Sequence, residues 1–376
     1  MKKILLVNFG KVIESAGGAE KVLCFLANGL NARGYDVQIV CSEDKVGRPF
    51  FDLDQKVKFI NLGLKLKISI CNRVIRKMCS LLHLDYKTFF NNKEINRQFE
   101  AVVKEFQPDL IINFFPEHLF YIFSFNHGIP VIEMLHSSSK WLLNSINNVA
   151  RFNMLQKVSV LQVLLPQYAD DLQALFRGKI EVISNAVPHF DETTNYGKSV
   201  VYLSRYDRDK QVDHLVEAFS KIHNQCSGWN VHIYGDEWSP GYKEEIINMI
   251  CEKKLENKIF AHGKIDNVKN VLLNASICAF PSKYEGFPMS LTEAMSAGVP
   301  CVGYASCSGV NQLIIDGENG FLAEDGINDF SFRLKLLMQD NVLCKTMGSN
   351  ARLSMEKYSE DIVLERWVSV IESFKI

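Results

Sequence analysis

Short apolar strands alternate with amphipathic helices, stop at a polar stretch, and then begin again; that repeated alternation constrains the fold more than any other feature. Lys3–Asn8 reads as a first strand. Gly18–Arg33 reads as a helix with Val22, Leu23, Leu26 and Leu30 on one face and Gly34 as its stop, and Tyr35–Cys41 as a second strand. Further strands fit Val57–Asn61, Asp109–Phe114, Pro130–His136, Val160–Leu164 and Lys179–Ser184, with helices near 89–106, 116–126, 140–156 and 167–176. Residues 186–198 are polar and aperiodic and read as a linker. The second run places strands at Ser199–Ser204, Trp229–Gly235, Lys258–His262, Ser276–Phe280 and Pro300–Tyr304. Its helices fall at 211–225, 240–253, 266–274, 288–297, 326–339 and 341–357, and a last one at Ser359–Phe374. Apolar strands that alternate with helices belong to parallel sheets covered on both faces. The expectation is α/β, with two Rossmann-like domains in series.

Composition narrows the class. A chain of 376 residues, 47% hydrophobic and 23% charged, is globular and long enough for two cores. The net charge of -1 gives no whole-chain case for nucleic acid. Its distribution is uneven: residues 1–190 hold 23 basic and 17 acidic residues, a net of +6, and the remainder a net of -7. The halves are therefore expected to meet different partners. Ile4-Leu5-Leu6-Val7 is too short for a signal peptide, and no run approaches the ~18 apolar residues that span a bilayer. Ten cysteines without a CxxC pair fit a reduced, cytoplasmic protein. The stretch 62–97, with Lys65, Lys67, Arg73, Arg76, Lys77, Lys87, Lys93 and Arg97 among apolar residues, is a candidate contact with an anionic membrane surface.

Four constellations carry candidate chemistry. Gly17 and Gly18 stand between the first strand and its helix, where free amides and the helix dipole favour an anion; the pattern is not GxGxxG, which argues against nicotinamide binding. Arg205 and Lys210 follow the first strand of the second half and are placed to clamp a diphosphate from two sides. In Glu285-Gly286-Phe287-Pro288-Met289-Ser290-Leu291-Thr292-Glu293, Glu285 lies in a loop and Pro288 suits the first helical position. Met289 and Ser290 then offer amides to a phosphate, and Glu293 sits just over a turn into the helix. The two carboxylates are spaced to hold two sets of vicinal hydroxyls on either side of that phosphate. His136 ends a strand of the first half, where a histidine is either functional or structural. No His/Cys cluster has zinc spacing, and Asp207 and Asp209 are already neutralised by Arg205, Arg208 and Lys210.

These pieces, with the run from Phe280 through Glu293-Ala294-Met295-Ser296-Ala297-Gly298-Val299-Pro300, resemble the retaining glycosyltransferases of family 4, which have the GT-B fold. The resemblance implies two Rossmann-like domains facing each other across a cleft. Residues 1–185 would be acceptor-side, 186–198 the linker, 199–357 donor-binding, and 358–376 a helix crossing back to the first domain. It implies that Arg205 and Lys210 bind the donor's diphosphate, Glu285 the transferred sugar, Glu293 the ribose, and the amides near Gly286, Phe287, Pro288, Met289 and Ser290 the distal phosphate. Gly17, Gly18 and His136 would lie near the donor. No metal or other cofactor is expected. The implied activity is transfer of a hexose or N-acetylhexosamine from a nucleotide sugar, UDP-linked by family habit, to a lipid-linked or other glycan acceptor in lipopolysaccharide, O-antigen or capsule assembly. A sugar-nucleotide epimerase and a non-catalytic partner-binding module are the alternatives. The chain departs from the family pattern at Ser204, Gln211 and Pro288, each where glycine is frequent, and at Gly309-Val310-Asn311-Gln312.

Overall fold

A computed structural model describes residues 1–15, 17–64, 93–145, 149–190, 197–265 and 267–374. The chain divides into two compact units, Met1–Asn185 with Val363–Ile376, and Ala186–Ile362.

The first unit is built on seven strands: β1 (Lys3–Asn8), β2 (Asp36–Cys41), β3 (Lys58–Asn61), β4 (Leu110–Asn113), β5 (Val131–Met134), β6 (Val160–Val163) and β7 (Lys179–Val182). They lie in the order β3-β2-β1-β4-β5-β6-β7, and every pairing is parallel. The central strands are apolar because both faces are covered: Ile4, Leu5 and Leu6 of β1 are fully buried, as are Leu110 and Ile112 of β4. Helix Gly18–Ala32 buries Val22, Leu23, Leu26 and Leu30, the stripe expected from their spacing. Helix Glu360–Ser373 packs on this unit at Gly29, where a β-carbon would lie 2.3 Å from a Leu364 methyl. Lys2 holds its end by donating to the carbonyls of Ile371 and Phe374 and pairing with Glu372 at 3.1 Å.

The second unit has six strands: β8 (Ser199–Leu203), β9 (Asn230–Tyr234), β10 (Ile259–Ala261), β11 (Ile277–Phe280), β12 (Cys301–Tyr304) and β13 (Gly320–Ala323). Their order is β10-β9-β8-β11-β12-β13, again with parallel pairings. Both sheets have the doubly wound order, in which connections run outward in opposite directions from a switch point, here between β1 and β4 and between β8 and β11.

Three differences from the sequence reading stand out. Strand β13 was not expected: four residues between two turn-rich stretches carry no period, and only the ladder with β12 makes them a strand. The helix expected at 140–156 is seen over Ser139–Ser145 and Val149–Leu155, and residues 146–148 lie outside the described residues. The one near 116–126 is a 3-10 turn, Pro116–His118, running into Leu119–Ile122. The described part of 186–198 is packed rather than free: Val187 and Phe190 are buried, and Arg352 donates to the Phe190 carbonyl at 2.6 Å. Most of the basic stretch 62–97, residues 65–92, lies outside the described residues. No helix of the described residues is long and apolar enough to cross a membrane.

Candidate active site

Ligands of open parallel sheets bind beyond the carboxyl ends of the strands flanking the switch point. In the second unit those ends carry the loops after β8 and β11, and the Lys283 amide, which donates to the Asp209 carbonyl at 2.8 Å, ties one loop to the other. The tie brings Lys210 to Glu285, with Nζ donating to Oε1 at 2.5 Å. Both side chains are largely buried, 13% and 11% exposed, so the pair is poorly screened by water. Lys210 ends a 3-10 turn, Arg208–Lys210, whose start is capped by the Asp207 carboxylate accepting from the Asp209 amide. Gln211 then takes the left-handed conformation, φ 49° and ψ 49°, before helix Val212–Ile222. A non-glycine residue pays for that conformation in strain.

Helix Met289–Ser296 starts four residues after Glu285. Pro288 is its N-cap with extended dihedrals, not the first helical residue expected from sequence, and no side chain caps the end. The first intrahelical bond there runs from the Thr292 amide to the Pro288 carbonyl, so the preceding Met289, Ser290 and Leu291 amides point beyond the helix end. Glu293 is buried within the helix. Phe287 turns inward and packs edge-on against Tyr358, 5.3 Å between centroids, so its ring belongs to the core. Gly309 backs the loop: a β-carbon there would lie 2.9 Å from the Glu285 β-carbon and 2.9 Å from the Gly286 carbonyl oxygen.

Arg205 has partners of its own. It is 47% exposed, 3.8 Å from Asp207, with its guanidinium 4.1 Å from the centroid of the Trp238 ring. Asp207 and Asp209, noted as an Asp-x-Asp pair, are engaged in local structure: Asp207 also accepts from the Ser239 hydroxyl. Trp238 was missed in the sequence reading, as was the direct Lys210–Glu285 contact. The signal available for Trp238 was Gly235-Asp236-Glu237 at the end of β9, a turn immediately before an aromatic.

The first unit places different chemistry at its strand ends. Gly17 is the N-cap of helix Gly18–Ala32. The space a Gly17 side chain would fill holds the carboxylate of Glu20, whose Oε2 would lie 2.1 Å from a β-carbon there. Burial raises the Glu20 pKa, while its own amide and the Ser15 hydroxyl, both donating to the carboxylate, offset part of that rise. The chain thus places a carboxylate of its own beside this helix end. His136 stacks on Phe114, 5.2 Å between centroids, and lies near Phe115 at 5.7 Å. Part of the residue remains exposed, but Nε2 is shut off from water and has no hydrogen-bond partner among the described residues. Burial pushes its pKa down to about 4, so the ring is neutral at pH 7. On β5, the fully buried Glu133 accepts from Asn113 Nδ2 at 2.5 Å, and burial lifts its pKa well above the usual carboxylate range.

Two family models match in succession: "Glycosyltransferase Family 4" over residues 16–189 and "Glycosyl transferases group 1" over residues 189–354. The chain belongs to the group 1, family 4 glycosyltransferases. Among relatives of this family, the chain is 30% identical over 239 residues to the poly(ribitol-phosphate) alpha-N-acetylglucosaminyltransferase of Staphylococcus aureus. That match covers 63% of this chain and 46% of the relative, so it spans under half of the relative's length. It is 22% identical over 383 residues, 96% of each chain, to a Campylobacter jejuni protein. That protein is named GalNAc-alpha-(1->4)-GalNAc-alpha-(1->3)-diNAcBac-PP-undecaprenol alpha-1,4-N-acetyl-D-galactosaminyltransferase. The solved structure of Anabaena HepE in complex with UDP and glucose superposes with a TM-score of 0.76 at 17% identity, covering all of both chains. That likeness carries the fold, which is GT-B.

Within this family 4 chain, the departures noted from sequence acquire physical content. Gln211 retains a left-handed backbone without being glycine. Pro288 caps its helix without donating an amide. Gly309, the residue kept in Gly309-Val310-Asn311-Gln312, is the one whose missing side chain lets the Glu285 loop sit where it does.

Proposed function

We propose that the chain is a retaining glycosyltransferase that moves a hexose or N-acetylhexosamine from a UDP-linked donor to a glycan acceptor carried on a lipid. The second unit binds the donor and the first serves the acceptor. The observation that carries this reading is the Lys210–Glu285 pair at the β8/β11 switch point, with the uncapped start of helix Met289–Ser296 four residues after Glu285. A cation in one loop, and a helix end in the next whose first three amides lack intrahelical acceptors, are the groups that stabilise charge developing on a departing nucleoside diphosphate.

On this reading the work divides among the residues. Lys210 and Arg205 provide fixed positive charge for the diphosphate, and the Met289 and Ser290 amides take the distal phosphate. Glu285, set by Lys210 and backed by Gly309, accepts hydroxyls of the transferred sugar, and Glu293 those of the ribose. This counter-charge comes from protein groups, which supports turnover without a metal. Retention of configuration, the implied place of His136 and of the Gly17-Gly18 amides near the donor, and a cytoplasmic site on the inner membrane face follow from family membership. The relatives' names support a polysaccharide or lipid-linked acceptor: that of the Campylobacter protein includes a PP-undecaprenol glycan, and that of the Staphylococcus protein a poly(ribitol-phosphate).

Glu285→Gln tests the assignment. It keeps the shape and an acceptor oxygen and removes the charge opposite Lys210. The expected result is a loss in kcat of at least a hundredfold, about 3 kcal/mol of transition-state stabilisation, with the fold intact but a lower melting temperature, since Lys210 loses a largely buried partner. Unchanged turnover would remove Glu285 from the sugar site.

A further inference from the structure

Trp238 stands 62% exposed on the loop after β9, in contact with the Arg205 guanidinium. The contact is built by the backbone. The amides of Trp238 and Ser239 both donate to the Tyr206 carbonyl at 3.1 Å, and the Tyr206 amide donates to the Asp236 carbonyl at 2.8 Å. Gly235 lets the two loops approach: a β-carbon there would lie 2.0 Å from the Ser204 carbonyl oxygen and 3.1 Å from the Arg205 α-carbon. The loops after β8 and β9 are thereby fixed to each other, with the indole face under the guanidinium.

We propose that Trp238 is a positioning residue that holds Arg205 ready for the diphosphate of a nucleotide. Stacking occupies the face of the guanidinium and leaves its edge, where the five N–H groups lie, turned to a ligand. Asp207 at 3.8 Å orients the same group from beyond hydrogen-bond distance and consumes no donor. A half-exposed arginine otherwise loses side-chain entropy when it engages phosphate, and an aromatic platform removes part of that loss in advance. The role rests on the donor-site reading above.

The test is the affinity of the full chain for UDP and, by competition, for inorganic pyrophosphate. Trp238→Ala is expected to weaken both on the order of three- to fivefold, the size of an exposed cation–π contact. Trp238→Phe should restore most of that, since a ring face is what Arg205 needs. Trp238→Ala should add nothing in an Arg205→Ala background. The melting temperature should hold, because the ring is mostly in water. A loss for UDP that spares pyrophosphate would make Trp238 a nucleobase contact and overturn the proposal. So would an equal loss with and without Arg205, or no loss at all while Arg205→Ala weakens binding. If Arg205→Ala itself leaves both affinities unchanged, the donor-site reading fails at Arg205, and the role of Trp238 with it.

Discussion

At the switch point of the second sheet the chain places charge: Lys210 against Glu285, Arg205 over Trp238, and a helix end with no side chain across it. At the strand ends of the first sheet, with the same order around its own switch point, it places groups that burial pushes toward their neutral forms. His136 is held far below its usual pKa, Glu133 far above, and the helix end at Gly17 is taken by Glu20. One topology thus yields two chemistries. The difference lies in the loops, because the strands only decide where loop residues converge. Fixed charges suit a phosphate-bearing ligand. A neutral imidazole suits one met through hydroxyls.

The contrast can be broken at its neutral side first. His136 has a folded pKa of about 4 against an unfolded value near 6.5, so its contribution to stability is fully present above pH 6.5 and is lost as pH falls towards 4. Between pH 7 and pH 5 the wild type should lose about 2 kcal/mol relative to His136→Asn, read from denaturant unfolding at both values. Comparison with that variant isolates the histidine from Glu133, whose raised pKa acts in the opposite direction. Equal pH responses would mean that the ring is not shielded. The charged side is sharpened by Gly309→Ala. Its β-carbon meets the Glu285 loop backbone, so the change should cost about 1–2 kcal/mol and lower kcat through a displaced Glu285. Retained kcat would show that Gly309 does not set that loop. The smallest effect belongs to Gln211→Gly. Relief of the left-handed strain, partly offset by chain entropy, should stabilise by about 0.5 kcal/mol, visible as a higher melting temperature with donor affinity held.

The alternation of apolar strands and amphipathic helices made both sheets legible, because parallel strands buried on two faces leave unbroken apolar runs such as Ile4-Leu5-Leu6-Val7. Strand β13 was not legible: Gly320-Phe321-Leu322-Ala323 is a strand only because Cys301–Tyr304 lies beside it. In the site, Arg205, Lys210 and Glu285 were readable from residue type and position after strands. Their grouping was not. Lys210 meets Glu285 across 75 residues of sequence, through a backbone tie between Asp209 and Lys283 that no side-chain pattern encodes. The Arg205–Trp238 contact was hidden for the same reason: Trp238 arrives on a loop whose approach depends on Gly235. That the Glu20 carboxylate fills the space beside Gly17 was not readable from the spacing.

The central claim is that the second unit's switch point is a nucleotide-sugar site organised by Lys210. The direct measurement is thermal stabilisation of the wild type and of Lys210→Ala against UDP-, GDP- and ADP-sugars without metal, since binding to the native state raises the melting temperature by mass action. A clear shift with one donor in the wild type, absent in Lys210→Ala, is the predicted result. The same shift in both proteins would place the donor elsewhere and contradict the account.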